Sequence, residues 1–169
     1  MLKMPVNVSK EWITIEDEII YLESYITLMK TRYEEREILF EVNINNSVKN
    51  LYIPRLMLQP IIENSIFHGF DDNSSKVALI SLEANIIGEK LIIRIRDDGK
   101  GMNKAEIYNL WNNSKKKSDN FNKIGLENIR KRINLLYGAP YGMVVLSNEG
   151  EGTETILTLK CVTKEDIGE

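Results

Sequence analysis

Residues 77–85 and 91–97 alternate apolar and polar side chains, and Gly88-Glu89-Lys90 separates them. Successive side chains of a strand point to opposite faces, so alternation of this kind marks strands with one buried face. Two such runs around a glycine-bearing break predict a hairpin. A sheet with one apolar face needs a second layer on it, which limits the fold to a few layered architectures. The same pattern predicts strands at 38–44, 51–53, 143–146 and 155–159, the last two joined around residues 148–152.

Three- and four-residue spacing predicts the covering helices. Thr14, with Asp17 three residues on, is a candidate N-cap for a helix whose stripe is Ile15, Ile19, Leu22, Ile26 and Met29. That stripe could cover this domain or meet a second subunit. Further helices are predicted over 58–70, 104–111 and 124–137, the last ended by Gly138. Pro54 is expected in an early helical position, and Pro60 is expected to kink or restart the helix around it. The expected fold class is α+β, a two-layer α/β sandwich. It has a mixed, mostly antiparallel sheet covered on one face by helices, with an N-terminal appended helix.

With 169 residues, 43% of them hydrophobic, the chain has enough apolar side chain for one domain and a true core. Its net charge of −3 argues against a basic nucleic-acid-binding face. A single cysteine, Cys161, rules out an internal disulfide, and a single histidine, His68, rules out a multi-histidine metal site. No apolar run is long enough to cross a bilayer, so a soluble cytoplasmic domain is expected.

Four segments carry candidate chemistry. In LQPIIENSIFHGF, residues 58–70, one face is apolar and the other carries Glu63, Asn64 and His68. The Asn64 carbonyl oxygen suits a hard cation such as Mg²⁺, and Glu63 could orient or deprotonate a nucleophile. The alternative is a core helix with a polar edge. In Asp97-Asp98-Gly99-Lys100-Gly101 the glycines let backbone approach a ligand, although an ordinary Asp-Gly turn reads the same. NNSKKKSDNFNK, residues 112–123, is polar and basic and leads to Gly125 at a predicted helix start, where free N–H groups suit phosphates. Its lysines, Lys123 included, are either phosphate partners or solvated charges. Gly150-Glu151-Gly152-Thr153 is either a turn or a ligand edge.

Taken together and in order, LQPIIENSIFHGF, IRIRDDGKGM and KIGLENIRKRI resemble the catalytic ATP-binding domain of sensor histidine kinases, close to the YesM type. That domain belongs to the gyrase, chaperone, histidine kinase and mismatch-repair ATPase superfamily, the Bergerat fold. The resemblance runs from about residue 13 to about residue 161, and it implies ATP and Mg²⁺ as cofactors. It casts Asn64 as the metal ligand and Asp97 as acceptor for the adenine amino group, with Gly99, Gly101 and Thr153 beside the nucleotide. His68 becomes a pocket residue rather than a phosphoacceptor. Gly125 and Leu126 match the Gly-x-Gly-Leu phosphate motif, with Lys123 in place of its first glycine, and the loop before them becomes a mobile lid.

The hydrolytic glutamate of related ATPases would fall at Pro60. Glu63 is thus the nearest catalytic candidate beside Asn64, which fits transfer to a protein rather than to water. The resemblance further implies a phosphoacceptor histidine on a helix absent from this fragment, a response regulator downstream and a homodimeric, membrane-anchored parent. It divides the chain into the tail of a helical dimerisation region (1–35), the ATP-binding domain (36–163) and a disordered tail (164–169). The alternatives are a nucleotide-sensing binding module and an anti-sigma-type serine kinase.

Overall fold

The alternating runs do pair as a hairpin, and the sheet grows from it. The computed structural model describes residues 11–32, 37–69, 77–112 and 121–168. In chain order the elements are β1 (Trp12–Thr14), α1 (Ile15–Arg32), β2 (Glu37–Ile44), α2 (Asn46–Lys49) and β3 (Tyr52–Pro54). Then come α3 (Gln59–Asn64), β4 (Val77–Ile87), β5 (Lys90–Asp97), α4 (Lys104–Asn112) and α5 (Phe121–Tyr137). The chain ends with β6 (Gly142–Ser147), β7 (Thr153–Lys160) and α6 (Lys164–Ile167).

The main sheet runs β2-β4-β5-β7-β6; only the β2–β4 pair is parallel. Its inner positions recur every second residue, as Ala78, Ile80, Leu82 and Ala84 on β4 and Leu91, Ile93 and Ile95 on β5, all buried. Val144 and Leu146 have the opposite parity on β6 and are exposed. The helices supply the second layer, with Ile62 and Ile66 of the asparagine segment and Leu126, Ile129 and Ile133 of α5 in the same core.

α1 is capped as the sequence suggested: Asp17 N donates to Thr14 Oγ1 at 3.1 Å, and the Thr14 hydroxyl donates to Asp17 Oδ2 at 2.7 Å. Acidic residues in its first turn and basic ones in its last complement the helix dipole. Its stripe, Ile15 to Met29, is buried in the core shared with the sheet. Of the two partners open to that stripe, this domain's own flank takes it.

Three local expectations are corrected. Pro54 ends β3, paired with Trp12, instead of opening a helix; at the end of a two-stranded sheet its missing N–H leaves no ladder bond unmade. The expected disordered tail instead holds a helix over its described residues: α6 forms at Lys164–Ile167 under a Thr163–Asp166 capping box, and Ile167 is buried with Trp12 and Val162. α5 starts at Phe121, before the predicted 124, so Gly125 lies inside the helix.

α3 has no side-chain cap of its own and carries Pro60 in its first turn. Its entry is held from outside. Glu18 of α1, only 3% exposed, accepts hydrogen bonds from Leu56 N and Leu58 N, each at 3.2 Å. Arg132 of α5 donates to the Arg55 carbonyl at 2.6 Å. Leu56 adopts the left-handed conformation, φ 57°, that this docking requires. Beyond Asn64 the helix widens into a π turn over Ser65–Gly69, a feature frequent at functional sites.

Candidate functional site

One end of the sheet turns polar on its helix-covered face. Ile80, Asp97, Thr153 and Ser147 stand in register across β4, β5, β7 and β6. Asp97 continues the buried parity of Leu91, Ile93 and Ile95, so its carboxylate points inward and is 3% exposed. An unpartnered carboxylate would be costly there. Ser65 donates to Asp97 Oδ2 at 2.7 Å, while Gly99 N and Thr153 N donate to Oδ1 at 3.1 and 3.2 Å. A carboxylate offers about four acceptor positions. Among the described residues three are used, and one on Oδ2 remains for a ligand donor. Burial pushes the Asp97 carboxyl above the usual carboxylate range; the Ser65, Gly99 and Thr153 bonds pull it back, and the charge of Asp98 adds to the rise.

The loop after β5 is folded tightly against its surroundings. Lys100 N donates to the Gly69 carbonyl at 2.5 Å, and a Cβ on Gly99 would collide with the Gly69 backbone. Gly101 sits at φ 67°, where a Cβ would strike the Asn148 carbonyl. Ser147 ties this loop to the final hairpin. Its hydroxyl accepts from Met102 N at 2.8 Å, donates to the Gly152 carbonyl at 2.7 Å and lies 3.0 Å from Thr153 Oγ1. Asp98 turns away and accepts from Leu79 N at 2.9 Å.

These elements enclose a cleft of about 250 Å³, lined by Asn64, Gly69, Asp97, Lys100, Gly101, Met102, Glu106, Asn109, Leu110 and Thr153. Of the residues singled out in the sequence, the structure brings Asn64, Asp97, Gly101 and Thr153 to this wall. Gly99 lies just behind it, against Gly69. Glu63 is not on the wall; its Oε1 accepts from Gln59 Nε2 at 2.8 Å. Leu126 is not on the wall either; its side chain lies in the core, 1% exposed. Gly125 does not open a helix onto the cleft: it faces α3, with Pro60 Cβ 3.1 Å from where its own Cβ would stand. The side chains of His68 and Lys123, and the expected lid with Lys115, Lys116 and Lys117, lie outside the described residues.

Sequence reasoning missed Gly69, Lys100, Met102, Glu106, Asn109 and Leu110 on the wall, and Ser65 and Ser147 behind it. Some of these were signalled. Asn103 and Glu106 form a capping box: Asn103 Oδ1 accepts from Glu106 N and Glu106 Oε2 accepts from Asn103 N. That box places α4 beside the glycine loop. Ser147 and Thr153 are polar residues at core parity, which marks a strand end facing something other than core.

A helix-backed, mostly antiparallel sheet with an inward acid and a glycine loop at one end defines an α+β domain with a polar cleft at that end. The histidine kinase-, DNA gyrase B- and HSP90-like ATPase family matches residues 53–163, and the chain belongs to that family. It is similar to the sensor histidine kinase YesM of Bacillus subtilis, 32% identical over 161 residues, or 95% of this chain and 26% of that protein. Among solved structures it resembles the Acinetobacter baumannii histidine kinase AdeS (TM-score 0.60, 13% identity, 94% of this chain and 69% of that one). It also resembles the histidine kinase domain of the blue-light activated kinase of Erythrobacter litoralis (TM-score 0.57, 14% identity, 89% and 63%). The chain thus has the fold of these domains and spans about a quarter of its similar relative YesM.

Membership of an ATPase family implies ATP binding, and the residues of the cleft fit that ligand. The remaining acceptor position on Asp97 Oδ2 suits the donor amino group of adenine, and Gly101 brings backbone to the wall without a Cβ. Asn64 presents a carbonyl oxygen for a hard cation. Among the described residues no group of three or more His, Cys, Asp or Glu could hold a metal. A hard cation held by Asn64 would also bind phosphate oxygens and water. Among the described residues no helix is long and apolar enough to cross a membrane.

Proposed function

We propose that this chain is the ATP-binding catalytic domain of a two-component sensor histidine kinase. It delivers the γ-phosphoryl group of Mg-ATP to a histidine on a dimerisation helix of the same or a partner subunit. The observation that carries this reading is the shared cleft: Asp97 at one strand end and Asn64 at the end of α3 line the same wall. Asp97 would select adenine by accepting from its amino group, since a purine carbonyl at that position would face a carboxylate. Asn64 would hold Mg²⁺, Glu63 would orient the nucleophile or the metal, His68 would line the pocket, and Lys123 would approach a phosphate as a point charge. When bound, Mg-ATP supplies the phosphoryl group and the charge neutralisation.

Water is a poor acceptor in such a site. Among the described residues the only carboxylates on the wall are Asp97, which already accepts three hydrogen bonds, and Glu106, which accepts from its own helix start. Neither is a free general base. In the same reading residues 1–35 lead in from the dimerisation region, the parent is a homodimer anchored in the bacterial plasma membrane, and a response regulator takes the phosphate onward.

The test mixes the chain with a separate domain bearing the acceptor helix, labelled ATP and Mg²⁺. Acid-labile phosphate on the acceptor is expected. Tight ATP binding without transfer would favour a nucleotide-sensing module, and acid-stable phosphoserine would favour the serine-kinase branch.

A further inference from the structure

Resting on that reading, we infer that Ser65 is a positioning residue for nucleotide recognition: it aims the purine-facing carboxylate and links it to the helix that carries the metal ligand. Ser65 is 4% exposed and Asp97 3%, and their 2.7 Å hydrogen bond lies in the interior, where one polar contact matters most.

Three features distinguish this contact from ordinary core satisfaction. First, the bond occupies Oδ2, the oxygen that among the described residues keeps a vacant acceptor position, while Oδ1 is filled by Gly99 N and Thr153 N. The serine hydroxyl and a ligand amino group would therefore share one oxygen, and the first fixes the direction open to the second. Second, Ser65 follows Asn64 directly and begins the π turn. A shift of that turn moves the two ends of the cleft together, so purine recognition and metal binding are coupled through one backbone step. Third, the hydroxyl is among the groups that hold the Asp97 carboxyl down against its burial. Without it the carboxyl protonates at higher pH, and a protonated oxygen makes a poorer acceptor.

The experiment measures Mg-ATP affinity by calorimetry from pH 5 to pH 8.5 for wild type, Ser65→Ala and Ser65→Cys. Taking the ratio of variant to wild type removes titration of the nucleotide itself. Ser65→Ala is expected to bind about tenfold more weakly near neutral pH, a loss of about 1.4 kcal/mol. Its acid-side loss of affinity should set in at higher pH than in wild type. Ser65→Cys, with a weak donor of similar size, should fall between the two. Inosine triphosphate, which replaces the amino group by a carbonyl, should lose less than ATP from Ser65→Ala. Superimposable affinity ratios across the pH range would overturn the inference while leaving the site reading intact. Absence of Mg-ATP binding by the wild type would instead overturn the site reading. Should Ser65→Ala fail to fold, Ser65→Cys carries the same comparison by itself.

Discussion

At the scale of the residue, Asp97 shows how a binding group can oppose stability. Its carboxyl is held above its unfolded value chiefly by burial. The native state therefore keeps a proton that the unfolded chain has already lost, so stability falls as pH rises from the unfolded carboxyl value through the raised folded one. Above that window the penalty is constant. Asparagine fits the same surroundings: its carbonyl can accept from Gly99 N and Thr153 N, and its amide can donate to Ser65 Oγ. Asp97→Asn should thus melt a few degrees higher than wild type at pH 7 without nucleotide. That advantage should shrink as pH is lowered through the window, and the stabilisation by Mg-ATP should disappear. Gly101→Ala should do the opposite to the apo protein. A Cβ at φ 67° against the Asn148 carbonyl strains the loop, for a loss of about 2 kcal/mol in denaturant unfolding and weaker nucleotide binding besides.

At the scale of the element, α3 depends on its neighbours. It has six residues before the π turn and no cap of its own, too little for independent stability. Glu18 supplies the cap from α1. Burial raises the Glu18 carboxyl, while the Leu58, Leu56 and Met57 amides and the Arg132 charge pull it back. Glu18→Ala leaves Leu58 N, buried, and Leu56 N, part-buried, without their acceptor, and a loss of about 2 kcal/mol is expected in urea unfolding. Mg²⁺-dependent affinity should fall with it, since Asn64 ends the helix so released.

Elements whose burial depends on local periodicity were legible in the sequence: the β4–β5 hairpin, the inner stripe of α1 and the Leu58, Ile62, Ile66 face all lie where alternation or helical spacing puts them. Features set by distant partners were not. β1 exists because Ile13 pairs with Ile53, and Pro54 is strand because Trp12 lies opposite it. Gly125 read as a helix start because no pattern revealed that α5 begins four residues earlier, or that Pro60 crowds it. The two ends of the cleft were legible as Asn64 and Asp97. Ser65 and Ser147 were not, because their hydroxyls gain meaning only once strands and helix have met.

At the scale of the molecule, one core joins α1, the sheet and α5, while a smaller cluster of Trp12, Val162 and Ile167 ties the first described strand to the last helix. Removing residues 164–169 should take Ile167 from that cluster and lower stability by about 2 kcal/mol. Emission from Trp12 should shift to the red while the cleft keeps its affinity. The whole assembly serves to bring an acid at a sheet end and a carboxamide at a helix end to one wall. Calorimetric titration of ATP into the wild-type chain, with Mg²⁺ and with a chelator, and into Asp97→Ala and Asn64→Ala, tests that most directly. The account predicts binding strengthened by Mg²⁺, abolished by Asp97→Ala, and stripped of its Mg²⁺ dependence by Asn64→Ala. Binding equal in all three proteins would contradict it.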